Sequence, residues 1–192
     1  MLTLFRKFLT VLTVGAGLIA CAPAFAATTA PGVTAQWQQR QTRFHYSGFT
    51  THYSCDGIKY KVGLLLRTMG ARDIKVRDIC TSPNGEPQLF HTMKLSFSVP
   101  VPAKKGDNKA DKKADKKGTF PAEWREVTLA AMNPMDLDSG DCELVEQIRD
   151  QVLPLFNPRA VVNRTACIPH QESVGQLYLR MSLLMPVKHK KA

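Results

Sequence analysis

Four cysteines divide the chain into two stretches of equal length, and this spacing constrains the fold more than any other feature. Cys55 and Cys80 are 25 residues apart, and Cys142 and Cys167 have the same separation. When the two stretches are laid over each other without a gap, apolar residues meet apolar residues and arginines meet arginines. The matching pairs are Ile58 with Val145, Leu65 with Val152, Leu66 with Leu153, Met69 with Phe156, Arg72 with Arg159, Ile74 with Val161 and Arg77 with Arg164. We therefore predict an internal duplication.

The match continues beyond the second cysteine of each stretch. Residues 88–95 and 176–183 share the pattern Gln-Leu-aromatic-x-x-Met-x-Leu, with one residue of difference in the length of the preceding loop. Apolar periodicity predicts strand, helix, strand, strand in each half. The first half has strands at 44–53, 73–80 and 88–101 and a helix at 57–69; the second has strands at 124–130, 160–167 and 176–187 and a helix at 141–156. Ser54 or Asp56 is expected to begin the first helix and Gly70 to end it, and Asp141 is expected to cap the second.

The predicted fold class is α+β, with duplicated βαββ units forming one pseudo-twofold domain. A mainly antiparallel sheet carries two helices on one face, and the two units share a core because neither alone can bury both its helix and its strands. The predicted order along the chain is a signal peptide (1–26), a flexible leader (27–42), the first unit (43–102), a disordered Lys- and Asp-rich insert (103–119), the second unit (120–187) and a basic tail (188–192).

The first 26 residues have the features of an export signal. Arg6 and Lys7 precede an apolar stretch over residues 8–20, and Ala24-Phe25-Ala26 is a small-x-small cleavage site. Cleavage there makes Ala27 the first residue of a periplasmic or secreted protein.

A second form of processing stays open. Leu18-Ile19-Ala20-Cys21 resembles a bacterial lipobox, in which Cys21 is acylated and anchors a lipoprotein. Neither processed form keeps an apolar run of 18 residues, so no integral membrane span is expected after processing.

Export changes what the cysteines are expected to do. Four cysteines in an oxidising compartment favour two disulfides, for which three connectivities are possible. A helix of about 14 residues and a returning strand of about 7 residues have similar lengths, so each unit brings its second cysteine back beside its first. This geometry favours the bridges Cys55–Cys80 and Cys142–Cys167, with a structural role, since the chain has no C-x-x-C motif.

The net charge of +10 is unevenly distributed. The signal carries two of these charges, the insert four and the tail three, so the folded body is left with one. If the apolar strand faces meet the helices, however, the opposite face of the sheet is basic and carries two aromatic side chains, Phe90 and Tyr178. The cations expected on that face are Lys75, Arg77, Lys94, Arg164 and Arg180. Such a face suits an anionic polymer, through charge and stacking.

No catalytic motif of the hydrolase, metalloprotease or P-loop kind is present. His91 and Met93 suit copper, but the alignment with Leu179 and Met181 makes them core positions, so no metal and no cofactor are expected. The favoured hypothesis is a non-catalytic cell-envelope protein that binds an anionic envelope component or a protein partner through the basic face. The alternative is a periplasmic enzyme with a site near His91.

The first half carries a further pattern. Tyr53-Ser54-Cys55-Asp56-Gly57, followed by Met69-Gly70-Ala71-Arg72 and Cys80, resembles a group of exported Gram-negative bacterial proteins with Y-x-C-D-G, L-G-A-R and a downstream cysteine. That group has no assigned activity, and the chain departs from the pattern at Met69, where leucine is usual. The resemblance supports export and disulfides only.

Overall fold

The computed structural model describes residues 32–79, 85–103, 118–168 and 176–187. The predicted signal peptide, most of the predicted insert, the basic tail and Cys80 lie outside these residues. In chain order the elements are β1 (Val33–Ser47), α1 (Cys55–Thr68), β2 (Arg72–Asp78), β3 (Phe90–Pro102), β4 (Phe120–Ala130), a 3₁₀ turn (Ser139–Asp141), α2 (Cys142–Gln151), a second 3₁₀ turn (Leu153–Phe156), β5 (Arg159–Asn163) and β6 (Tyr178–Pro186).

The strands form one six-stranded antiparallel sheet in the order β2-β3-β1-β4-β6-β5. The predicted α+β class with two helices and an antiparallel sheet is confirmed. The first three strands of the chain and the last three occupy separate halves of the sheet, which meet where β1 pairs with β4. That junction is short: Thr34 lies opposite Pro121, with one further pair on either side.

Both helices pack on the same face of the sheet because alternate strand residues are apolar there. α1 contributes Ile58, Val62 and Leu66 to the core, at the spacing of one helical face, and α2 contributes Leu144 and Ile148. The strand residues in the same core are Phe44, Tyr46, Met93, Leu95, Phe97, Val99, Val101, Val127, Leu129, Leu179, Met181, Leu183 and Met185. The two halves therefore share one core.

The ends of α1 are those that local chemistry predicts. The side chain of Ser54 accepts a hydrogen bond from the backbone N–H of Gly57 at 3.1 Å, which caps the first turn. Gly70 follows the last turn with φ +88°, a left-handed conformation that a glycine adopts without strain.

The second helix differs from the prediction. α2 ends at Gln151, and a 3₁₀ turn containing Pro154 replaces its last turn, since proline lacks the N–H that continues an α-helix. Asp141 does not cap α2 through its side chain. It belongs instead to a capping box with Asp138, whose backbone N–H donates to the Asp141 carboxylate at 2.9 Å.

The prediction of a flexible leader over residues 27–42 is wrong from Val33 onward. β1 begins at Val33 and ends at Ser47, whereas the sequence predicted a strand over 44–53. Most side chains of residues 34–43 are polar, so the apolar pattern gave no strand signal. This part of β1 is ordered by a continuous backbone ladder with β3 that begins at Ala35.

The same local geometry occurs twice, at a constant separation of 87 residues. Asp73 and Ala160 both have a left-handed backbone, with φ of 53° and 48°. Each lies within a register shift of an edge strand, between Arg72 and Lys75 in β2 and between Arg159 and Val162 in β5. Both edge strands therefore carry the same irregularity at corresponding positions.

The strand pairing relates β3 and β6 at a different separation from the predicted alignment of residues 88–95 with 176–183. Arg72 lies opposite Ser98, and Arg159 lies opposite Ser182, so β3 and β6 correspond at a separation of 84 residues. The sequence pattern implies 88, which matches Met93 with Met181. The two separations, 84 and 88, differ by four residues. Because an even shift leaves every side chain on the same face of the sheet, the apolar pattern cannot distinguish one separation from the other.

One predicted disulfide is confirmed. Cys142 and Cys167 are bridged, with a Cα–Cα distance of 5.6 Å. Cys55 is also disulfide-bonded, and its predicted partner, Cys80, lies outside the described residues.

Candidate functional site

The outer face of the sheet, meaning the face turned away from the helices, carries the predicted cations of the first half. Lys75 and Arg77 of β2 and Lys94 of β3 are all exposed there. Lys94 lies directly opposite Arg77 on one side and opposite Arg43 of β1 on the other. Three cations thus form a row across three neighbouring strands, which we call the cation row (Arg43, Lys94, Arg77).

The cation row spans about 10 Å, because neighbouring strands are about 4.8 Å apart. Lys75 extends it by one step along β2, where it lies opposite Ser96. Lys75, Arg77, Lys94 and Ser96 line a shallow depression of about 310 Å³. On its β1 side the amide of Gln39 donates to the Ser96 hydroxyl at 3.3 Å.

The cation row has no anionic counterpart in the part of the chain that the structure describes. No carboxylate of these residues lies within 4 Å of Arg43, Lys75, Arg77 or Lys94. Like charges directly opposite each other on a sheet lower its stability. The fold therefore tolerates an uncompensated concentration of positive charge at this place.

Arg164 and Arg180 do not join the cation row. They belong to the other half of the sheet, and four strands separate Arg164 after β5 from Arg77 in β2. Arg180 lies 3.7 Å from the carboxylate of Glu126, and the Arg164 guanidinium lies 5.9 Å from the centre of the Tyr178 ring. The five predicted cations therefore form two groups. Arg164 and Arg180 have partners in the second half, whereas Lys75, Arg77 and Lys94 lie together in the first half with no carboxylate of the described residues beside them.

Arg43 is the member of the site that sequence reasoning missed. The predicted strand began at residue 44, so Arg43 fell next to the supposed leader. The alternation of Arg43 with the buried Phe44 is the signal that would have placed it on the outer face.

Two arginine–tryptophan pairs flank the centre of the outer face. The guanidinium of Arg72 lies 3.8 Å from the centre of the Trp37 ring, and Arg159 lies at the same distance from Trp124. Between them is a small apolar cluster around the β1–β4 junction, formed by Ala35, Ala122 and Leu184 with Val33, Phe120 and Trp124 against it. These arginines are held over aromatic rings, which distinguishes them from the cation row.

His91 has a structural position. Its side chain is 4% exposed, and its Nε2 donates a hydrogen bond to the backbone carbonyl of Tyr53 at 2.9 Å. This bond ties the start of β3 to the loop that precedes α1. The alternative hypothesis places an enzyme site near His91, and a solvated His91 in a deep cleft beside a carboxylate and a hydroxyl would favour it. His91 is buried instead, and the hypothesis stays a prediction.

A buried polar cluster joins the two halves on the helix side. Asp141, 1% exposed, accepts a hydrogen bond from the Tyr53 hydroxyl and lies 2.6 Å from the ammonium of Lys61. Lys61 also donates to the carbonyl of Asp136 at 2.5 Å.

The electrostatics of this cluster keep the Tyr53 hydroxyl and the Lys61 ammonium protonated. Burial raises the pKa of Tyr53 above its ordinary value, and the charge and hydrogen bond of Asp141 raise it further. Burial lowers the pKa of Lys61, but the hydrogen bond and charge of Asp141 outweigh burial, so the pKa of Lys61 is raised overall. The cluster therefore consists of a neutral phenol and an ion pair that stabilise the contact between the halves.

Within the described residues, no three His, Cys, Asp or Glu side chains are placed to hold a metal ion. None of the described helices is both long enough and apolar enough to cross a membrane. Comparison of the chain with models of protein families, with curated proteins and with solved structures finds no match.

Proposed function

We propose that this chain is an exported, non-catalytic protein of the cell envelope that binds an anionic component through the cation row and Lys75. The observation that carries the proposal is the direct opposition of Lys94 to both Arg43 and Arg77. An anionic ligand that bridges the three strands would neutralise charges that repel each other in the free protein.

The shape of the site favours an extended ligand over a compact one. The depression beside the row is shallow and open, and its floor is formed by the strands themselves. A small anion would remain largely hydrated on such a surface. An extended array of negative charges, carried by a polymer or by a surface, can contact Arg43, Lys94, Arg77 and Lys75 together and gain from the release of counterions.

Two further proposals support this function. The first is export, on the grounds of the N-terminal sequence of residues 1–26, which would deliver the protein to the cell envelope. The second is that the two halves arose by duplication of a βαββ unit. The recurrence of a left-handed residue at Asp73 and Ala160 supports this proposal. After such a duplication, the second half would have the same strands and helix as the first but no cation row, which lies on β1, β2 and β3.

The proposal is tested by the salt concentration at which the protein elutes from immobilised heparin, an anionic polymer. The variant Arg43→Ser/Arg77→Ser/Lys94→Ser should elute at a much lower salt concentration than the unaltered protein. The matched control, Lys59→Ser/Arg164→Ser/Arg180→Ser, removes the same number of cations from other places and should elute almost as the unaltered protein does. Equal losses in the two variants would mean that net charge, and not the cation row, governs binding.

The Lys-rich segment of residues 104–118 is the competing source of anion binding. Both variants should therefore also be made in a chain that lacks these residues. The proposal requires that the shortened protein still bind and that it still lose binding with the cation row. If retention disappears with residues 104–118 alone, the outer face is an ordinary solvated surface.

A further inference from the structure

Four of the exposed large apolar side chains lie together at one end of the sheet. Phe90 is 66% exposed, Ile79 58%, Phe49 58% and Leu89 36%. The neighbouring residues His52, Pro87 and Gln88, together with Leu89 and Phe90, line an open cavity of about 460 Å³. Large apolar side chains grouped in this way on a surface commonly mark a site of interaction with a protein or a membrane.

The backbone pairing shows that these residues are neighbours. Gly48, which precedes Phe49, donates its N–H to the carbonyl of Leu89 at 2.8 Å. The N–H of Ile79 donates to the carbonyl of Thr92 at 3.1 Å, beside the start of β3. β1 ends, β3 begins and β2 ends at this place. We call these four residues the apolar corner (Phe49, Ile79, Leu89, Phe90).

The apolar corner adjoins the cation row. Ile79 directly follows the last residue of β2, and its N–H bond to Thr92 continues the register of β2 with β3. Phe90 is four residues before Lys94 in β3. Both residues therefore have the strand parity of the outer face. At about 3.4 Å per residue, Phe90 lies about 14 Å from Lys94 along β3, and Ile79 lies about 7 Å from Arg77. One surface therefore presents cations and exposed apolar side chains side by side.

We infer that the anionic component is the surface of an anionic lipid bilayer, with Ile79 and Phe90 of the apolar corner inserted among the acyl chains and the cation row on the headgroup phosphates. This inference rests on the proposed function and names its ligand. A soluble polyanion would leave Phe90 and Ile79 in water, whereas a bilayer removes them from water and meets the nearby cations with negative charge.

The test uses protein purified from the cell envelope and two kinds of lipid vesicle, measured by co-sedimentation. One kind contains phosphatidylglycerol in phosphatidylcholine, and the other is phosphatidylcholine alone. The unaltered protein should bind the anionic vesicles at least tenfold more tightly than the neutral ones. The variant Ile79→Ser/Phe90→Ser should lose about tenfold or more of its affinity for the anionic vesicles and keep its retention on heparin.

A matched control changes exposed aliphatic and aromatic side chains elsewhere. Val161→Ser, on the opposite edge strand, and Tyr60→Ser, on α1, are half exposed and should leave vesicle binding within about twofold of the unaltered protein. The three-cation variant should lose both vesicle binding and heparin retention.

The results separate the two proposals. If Ile79→Ser/Phe90→Ser binds anionic vesicles as the unaltered protein does, the lipid inference is wrong while anion binding stands. If the three-cation variant keeps its heparin retention, the proposed function fails first, and the lipid inference fails with it.

Discussion

The side-chain oxygen of Gln151 in α2 accepts a hydrogen bond from the backbone N–H of His45 in β1 at 2.9 Å, and the side-chain NH₂ of Gln151 donates to the His45 carbonyl at 2.8 Å. One turn earlier, Gln147 makes the same pair of bonds with Ser47, at 2.9 and 2.8 Å. The register of β1 with β4 covers only the first residues of β1, so this edge lacks a neighbouring strand near its end. Two glutamine amides take the place of that strand and satisfy the backbone groups of the edge.

Removing these amides should loosen the end of β1. Gln147→Ala/Gln151→Ala leaves four backbone groups without their partners, so we expect a loss of about 2 kcal/mol in the free energy of unfolding. Amide hydrogen exchange at His45 and Ser47 should accelerate about tenfold or more. The control Gln41→Ala, on the outer face, should change neither quantity. Unchanged exchange in the double variant would show that water replaces the amides without cost.

The carboxylate of Asp141 should be essential for stability. In Asp141→Ala the hydroxyl of Tyr53 and the ammonium of Lys61 lose their common partner, and breaking a buried ion pair costs about 3 kcal/mol. Asp56→Ala is the control, because its pair with Lys59 lies at the surface, where solvent screens it and it contributes little to stability. Urea denaturation of both variants measures the difference. A similar small loss in both would mean that the cluster is not a stabilising contact.

The same cluster predicts how stability depends on alkaline pH. The pKa values of Tyr53 and Lys61 are both raised in the folded protein, so both groups hold their protons more tightly than in the unfolded chain. Their contribution to stability is complete below the unfolded pKa values of about 10 and is lost as the pH rises above them. The free energy of unfolding should therefore fall above about pH 10. In Tyr53→Phe the fall should be less steep, and an unchanged slope would contradict this account.

Ala160 is a place where a smaller residue should stabilise the protein. Its φ of 48° is unfavourable for a residue with a Cβ atom, and glycine adopts it freely. Ala160→Gly should raise the free energy of unfolding by about 0.5 kcal/mol, after the larger entropy of the unfolded glycine chain is taken into account. Ala130→Gly, at the last residue of β4, should lower it by about 0.5 kcal/mol. Thermal unfolding of the two variants should shift in opposite directions.

The sequence by itself determined the features that depend on neighbouring residues. The periodicity of apolar residues predicted two helices and six strands, although it missed the first part of β1 and placed the end of α2 too late. Ser54 and Gly70 predicted the limits of α1 because capping and left-handed conformations are local chemistry. The equal cysteine spacing identified the Cys142–Cys167 bridge, since a helix and a returning strand of matching length bring the chain back to its starting point.

Only the tertiary structure decided which strands are neighbours and in what register. A shift of four residues between β3 and β6 keeps every side chain on its own face, so the pattern alone cannot exclude it. The polar first part of β1 becomes a strand only because β3 supplies its backbone partners. The same pairing places Arg43 beside Lys94 and leaves Arg164 in the far half of the sheet. A charge acts on its neighbour over a few ångströms, and contacts at that range between distant segments are set by the packing of the whole chain.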